Sequence, residues 1–279
     1  MGRYFVRAII YRNNNAHTRG FPMAIVLRSR EQIAKLREAG RLVAQTYEVL
    51  RPRVVPGVTT RELDRIAEEF IRSHGATPAY KGYRPRFAAT AFPATICVAR
   101  NNVICHGIPD DTPLRNGDII GIDIGAKLNG WYGDSCVTFA VGNISSEAQK
   151  LLDVAQESMW LGIHAARANN RMGDIGAAIQ EYVEAHGYSV VREYGGHGVG
   201  QRLHDEPSSV PHHGKPATGI RLRPGLVLTI EPMVNTGGYQ TAVDPHDGWT
   251  VRTADGSLSA QFEHTIVITD SEPEILTLV

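Results

Sequence analysis

The chain has 279 residues, 42 % of them hydrophobic, and its 29 basic and 29 acidic side chains cancel to no net formal charge. Such a length allows one large domain or two small ones, and the neutral balance argues against a general nucleic-acid or membrane surface. No apolar run approaches the length of a membrane span.

Residues 1–22 carry Arg3, Arg7, Arg12 and Arg19 and no acid, and Ile9-Ile10 is too short for a signal-peptide core. They are expected to be a disordered extension, with Met23 as an alternative start and 23–279 as one domain. Cys97, Cys105 and Cys136 cannot all pair, and no Cys-x-x-Cys occurs, which fits a reduced, cytoplasmic compartment.

Ser29 reads as the cap of a first helix, with Ile33, Leu36, Ala39, Val43 and Tyr47 at helical spacing, broken over 52–57. Thr59 or Thr60 caps a second, which stops at His74-Gly75. Residues 76–94 read as loop, and strands are expected over 95–99 and 103–105. Asn129-Gly130 is a hairpin signal inside 117–134. Ser145 or Ser146 caps a long helix, and Asp174 starts another that stops at His186-Gly187. Short strands follow over 190–191, 226–230, 249–252 and 263–269. Between them, Gly195-Gly196-His197-Gly198-Val199-Gly200 is a segment whose backbone could approach a ligand closely.

Asp123 lies inside the apolar run from Ile119 to Ile124, and the hairpin would fold Asp134 back alongside it. Two acids on one sheet face need a cation, a shared proton or an Arg. An internal repeat adds two more. The segment from Gly117 to Asp123 matches that from Gly225 to Glu231, a shift of 108 residues. The helix ending in His74-Gly75 matches the one ending in His186-Gly187, a shift of 112. Two related halves about an approximate twofold axis would set Asp123 against Glu231, with Asp134 and Glu263 as second acids. Four carboxylates and His197 form an oxygen-rich set suited to Mn(II), Fe(II), Co(II) or Zn(II), and four acids suit two ions better than one. Such a pair lowers the pKa of a bound water toward neutrality, which points to hydrolysis. His106 and His204 lie outside any apolar stripe and could donate hydrogen bonds to an oxyanion. His17, His74, His164, His186, His212, His213, His246 and His264 are expected to take no part.

Seven motifs then stand in one order: Cys105-His106-Gly107-Ile108-Pro109, Gly121-Ile122-Asp123, Gly133-Asp134-Ser135, Gly196-His197-Gly198-Val199-Gly200, Thr229-Ile230-Glu231-Pro232-Met233, Asp247-Gly248-Trp249 and Gln261-Phe262-Glu263-His264-Thr265. In these the chain resembles type I methionine aminopeptidases, from about Met23 to the C-terminus. The resemblance implies an α+β pita-bread fold, two pseudo-twofold halves around a curved antiparallel sheet. It implies that Asp123, Asp134, His197, Glu231 and Glu263 ligate two divalent metal ions, with Asp134 and Glu263 bridging. Glu231 would also take the proton from the metal-bound water, while His106 and His204 position the substrate. Tyr80, Tyr83, Cys97 and Trp249 match positions near the pocket for the methionine side chain. The implied reaction removes initiator methionine from nascent chains with a small second residue. The implied enzyme is a monomer, associated at most with the ribosome, with no nucleic-acid readout and no membrane. Leu203 stands where the family usually has Phe, and 84–93 reads as an insertion at the pocket rim. Two alternatives share the fold: an enzyme cleaving Xaa-Pro bonds, which usually carries an extra N-terminal domain, and a binding module without catalysis, which typically loses ligands.

Overall fold

A computed structural model of the chain describes residues 25–85 and 88–279; the expected extension 1–22 lies outside the described residues. Helix α1 runs Arg30–Leu50. The Ser29 hydroxyl accepts the Gln32 N–H, and the Gln32 side chain accepts the Ser29 N–H in return, so both orphan donors are satisfied. Helix α2 (Thr60–Ser73) is capped by Thr59, and α3 (Ser146–Ala165) by Ser145. Helix α4 spans Met172–Ala185 and starts two residues before Asp174. Asp174 instead accepts the N–H of Arg171 at 2.6 Å, reaching back across the first turn. The two halves of the sequence repeat stop alike: α2 and α4 are each followed by a glycine at positive φ, Gly75 at +72° and Gly187 at +81°.

The central hairpin forms as the sequence implies. Strands Ile119–Leu128 and Trp131–Ala140 are joined by Asn129 (φ 51°) and Gly130 (φ 84°), the left-handed pair of a type I′ turn. Register places Asp123 opposite Cys136 and Asp134 opposite Gly125. The two acids therefore share a face, two positions apart. Ile120, Ile122 and Ile124 point the other way, into a core with Leu63, Ile71 and Val43 of α1 and α2. Alternation is what lets an apolar strand carry a carboxylate. A slip of one residue would drive Asp123 into that core. Ile96–Arg100 pairs on the other edge, with Cys97 opposite Asp123. Within the expected loop, Thr77–Pro78 forms a short strand against Ala126 and Lys127.

The second half repeats the plan. Val227–Ile230 pairs with His264–Val267, His264 opposite Ile230, so Glu231 and Glu263 follow at the adjoining ends. Leu228, Ile230 and Ile266 pack with Leu151, Ile163, Ile175 and Ile179 of α3 and α4. Among the described residues every strand pairing is antiparallel, in four hydrogen-bonded sets. The halves meet where Glu263 donates its N–H to Cys136 at 2.8 Å and the Thr265 hydroxyl donates to the Asp134 carbonyl at 2.7 Å.

Three local features differ from expectation. Gly196–Gly198 is a strand, and its glycines lie close against Thr229 and Glu206; a Cβ on Gly196 would lie 2.9 Å from the Thr229 hydroxyl. Asp205–Val210 is a strand at the sheet edge, where Pro207 is tolerated. The strand expected over 249–252 begins at Val251, because Asp247 accepts the N–H groups of Trp249 and Thr250 in a turn.

Helix α1 lies directly on the hairpin. A Cβ on Gly133 would sit 2.6 Å from the backbone of Ala39 and Gly40. Gly133→Ala must therefore push the helix off the strand that carries Asp134. We expect a loss of about 1–3 kcal/mol, read as a lower urea midpoint; an unchanged midpoint would contradict this packing.

Candidate metal centre

Asp134, His197, Glu231 and Glu263 are buried, while Asp123 is half-buried beside them. Period-two alternation puts Asp123 and Asp134 on one face, and the strand ends deliver Glu231 and Glu263. His197 comes from the middle of Gly196–Gly198, next to Val227–Ile230. Ligating atoms of Asp134, His197 and Glu263 lie within 4.8 Å of one another. Among the described residues the only ion-pair partner of the four acids is His197, whose Nε2 is 3.6 Å from Asp134 and 3.8 Å from Glu231.

Hydrogen bonding decides what that Nε2 is. His197 Nδ1 is 2.9 Å from the carbonyl of Gly198, an acceptor only, so Nδ1 holds the proton. Burial pushes the His197 pKa down, to about 4, so the ring is neutral near pH 7. Nε2 then presents a lone pair to two carboxylates. Lone pair facing lone pair is repulsive in a dry site unless a cation lies between them. The separations are too long for hydrogen bonds and of the size expected for ligands sharing an ion at about 2.0–2.2 Å. The donor set thus fits a hard or borderline divalent metal.

The acids respond to crowding as uncompensated charges do. Burial pushes Asp123 up to about 7, against the hydrogen bond from Tyr80. Burial pushes Glu231 up to about 8, opposed by the Thr229 hydrogen bond and aided by the charge of Asp123. Asp134 and Glu263 are raised well above the carboxylate range, first by burial and then by neighbouring acids.

Several residues that sequence reasoning left aside hold this centre. Thr229 accepts the His197 N–H at 2.9 Å and donates its hydroxyl to Glu231 Oε1 at 2.7 Å. Gln261 Nε2 donates to Glu231 Oε2 at 3.2 Å. Both stand two residues before a ligand on an extended segment, so period-two spacing was the available signal. His212, expected to take no part, is fully buried and accepts the Glu231 N–H at 3.1 Å through Nε2. No spacing rule announces it.

Tyr80, Cys97, Leu203 and Trp249 do gather, in an apolar cluster with Phe92, Ala94, Tyr83 and Ile108 beside the acids. Tyr80 does more than line it: its hydroxyl donates to Asp123 and Asp134. Tyr83 lies at the cluster's edge with its hydroxyl 2.9 Å from His204 Nδ1. The His204 ring packs against that of His197 at a tilt of 46°, centroids 4.2 Å apart, and His106 stands edge-on to Tyr194 and Trp249. His106 also adopts φ 57°, a left-handed conformation that costs energy in a non-glycine residue. The three cysteines are free and buried.

The sequence matches metallopeptidase family M24 over residues 34–270. It is 49 % identical to a methionine aminopeptidase of Clostridium perfringens, over 91 % of this chain and 99 % of that relative. The chain belongs to the methionine aminopeptidases of metallopeptidase family M24. A crystal structure of methionine aminopeptidase from Rickettsia prowazekii superposes with a TM-score of 0.88 at 45 % identity, covering 91 % of this chain and all of that one. Its fold is therefore the two-halved pita-bread architecture. An Xaa-Pro dipeptidase from Bacillus anthracis shares the fold at a TM-score of 0.71 and 22 % identity, and this chain covers 62 % of it. No helix among the described residues is long and apolar enough to cross a membrane.

Metal-free protein should show the strain of the centre as a pH dependence. Carboxylates whose folded pKa is raised bind more protons folded than unfolded, so their penalty grows from the unfolded value, near 4, up to the folded one. The lowered pKa values of His106, His197, His212 and His264 act only below about 6.5. Above that, Asp123 and Glu231, at about 7 and 8, remain. We expect the Tm of chelator-treated protein to fall from pH 6.5 to pH 8.5, and Mn(II) or Co(II) to cancel the fall. A Tm that rises over this window without metal would contradict the buried-acid reading.

Proposed function

We propose that this chain removes N-terminal methionine from nascent proteins and peptides with a small second residue, using two divalent ions held by Asp123, Asp134, His197, Glu231 and Glu263. The observation that carries the reading is the neutral His197 whose bare Nε2 faces Asp134 and Glu231. Divalent ions bound there would supply positive charge to polarise water and the scissile carbonyl. Co(II), Mn(II), Fe(II) and Zn(II) all suit the donor set.

The chain's own side chains then divide the work. Glu231, with each oxygen fixed by a hydrogen bond from Thr229 or Gln261, accepts a proton from the attacking water. His106 and His204 donate hydrogen bonds to the peptide group being cut. The apolar cluster of Tyr80, Cys97, Leu203 and Trp249, with Tyr83 at its edge, takes the methionine side chain and excludes water. Residues 23–279 act as one catalytic domain, as a monomer in the cytoplasm, where nascent N-termini emerge from the ribosome.

Purified protein stripped of metal should release methionine from a Met-Ala-Ser peptide only after Mn(II) or Co(II) is added. Asp134→Ala should lower kcat/KM by at least about a hundredfold, the scale of losing a central electrostatic group. Turnover of an Xaa-Pro peptide should be negligible by comparison. Metal-independent release, or preference for the Xaa-Pro peptide, would overturn the assignment.

A further inference from the structure

After Tyr80, backbone hydrogen bonds tie Gly82 and Tyr83 to Phe92. Gly82 donates its N–H to the Phe92 carbonyl at 2.8 Å, and Phe92 donates its N–H to the Tyr83 carbonyl at 2.9 Å. Tyr83 and Phe92 are both tied to the site. Phe92 is buried edge-on to Tyr80 and Trp249, with centroids 6.5 and 5.3 Å away. Tyr83 reaches across to the other half of the molecule, where its hydroxyl meets His204 Nδ1 at 2.9 Å and its ring lies 5.3 Å from the imidazole at 31°. Its own N–H is held by the Tyr80 carbonyl at 2.8 Å. Tyr83 therefore leaves a backbone fixed next to the residue that touches Asp123 and Asp134, and ends on a histidine packed at a tilt against His197.

We infer that Tyr83 is a positioning residue for His204: its hydroxyl donates to Nδ1 and so fixes the proton of the neutral imidazole on Nε2. A neutral histidine carries one ring proton, and the bond made at one nitrogen decides the state of the other. With Nδ1 engaged as an acceptor, Nε2 becomes a donor on the opposite edge of the ring. That is the form needed to stabilise a developing oxyanion or to give a hydrogen bond to the peptide. With Nδ1 protonated instead, Nε2 would offer a lone pair and repel the same oxygen. An imidazole, whose ordinary pKa is about 6.5, is mostly neutral above pH 7, and the His204 ring lies between those of Tyr83 and His197. The tilted ring contact adds orientation to the tautomer choice, holding the imidazole from one side while His197 packs at 4.2 Å.

This role rests on the hydrolytic reading of the site, so its test has a readout that does not depend on turnover. Two-bond proton–nitrogen NMR correlations of the full chain, metal-free and Zn(II)-loaded, report which His204 nitrogen is protonated. The expected result is Nε2–H in the native protein and a mixed or inverted tautomer in Tyr83→Phe, which keeps the ring and loses the hydroxyl. In Mn(II)-loaded protein, Tyr83→Phe should lower kcat about tenfold with KM within about twofold, the pattern of an interaction made in the transition state. Tyr83→Ala, which also loses the ring contact, should be lower still. Native His204 protonated at Nδ1, or a Tyr83→Phe protein with unchanged tautomer and unchanged kcat, would overturn the inference. A chain that released no methionine yet showed the expected tautomers would instead count against the assigned reaction.

Discussion

The structure turns on a repulsion that the protein alone does not relieve. Asp134, Glu231 and Glu263 converge on a histidine whose Nδ1 is committed to the Gly198 carbonyl, so its Nε2 faces Asp134 and Glu231 without a proton. Like charges and lone pairs held this close in a low-dielectric site are costly. The fold nevertheless commits its two main apolar cores to bringing them together. Two isoleucine-rich sheets, each backed by a helix pair, supply the burial that holds the acids in place. The halves are then locked by hydrogen bonds from Glu263 and Thr265 to the strand that carries Asp134.

Seen from the centre outward, each surrounding residue restricts one degree of freedom. Thr229 and Gln261 fix the two oxygens of Glu231. His212 fixes its backbone. Tyr80 ties Asp123 to Asp134 and at the same time walls the apolar cluster, so the acids and the cluster share a residue. Tyr83 links the same loop to His204. The hydrolytic centre and its apolar neighbour are therefore one mechanical unit, and changes at the pocket rim reach the reacting groups.

Much of this was legible in the sequence because it rests on local rules. Ser29, Thr59 and Ser145 each cap the helix that follows, and Asn129-Gly130 makes the expected turn. The repeat read from Gly117–Asp123 and Gly225–Glu231 corresponds to the two strands that deliver Asp123 and Glu231. What escaped depends on tertiary contact. His212 looks like any loop histidine until the strand end carrying Glu231 packs over it. The glycines around His197 let the strand Gly196–Gly198 close against Thr229 and Glu206, a contact that no local spacing announces. Tyr80 read as a pocket residue because nothing in one dimension shows its hydroxyl reaching two acids at separate strand positions.

The most direct test is anomalous diffraction from crystals grown with Mn(II) or Co(II). The account predicts two peaks, one within about 2.0–2.2 Å of His197 Nε2 and both contacted by the carboxylates of Asp134 and Glu263. A crystal with no peak at this centre, and with His197 Nε2 hydrogen-bonded to a protonated acid instead, would contradict it.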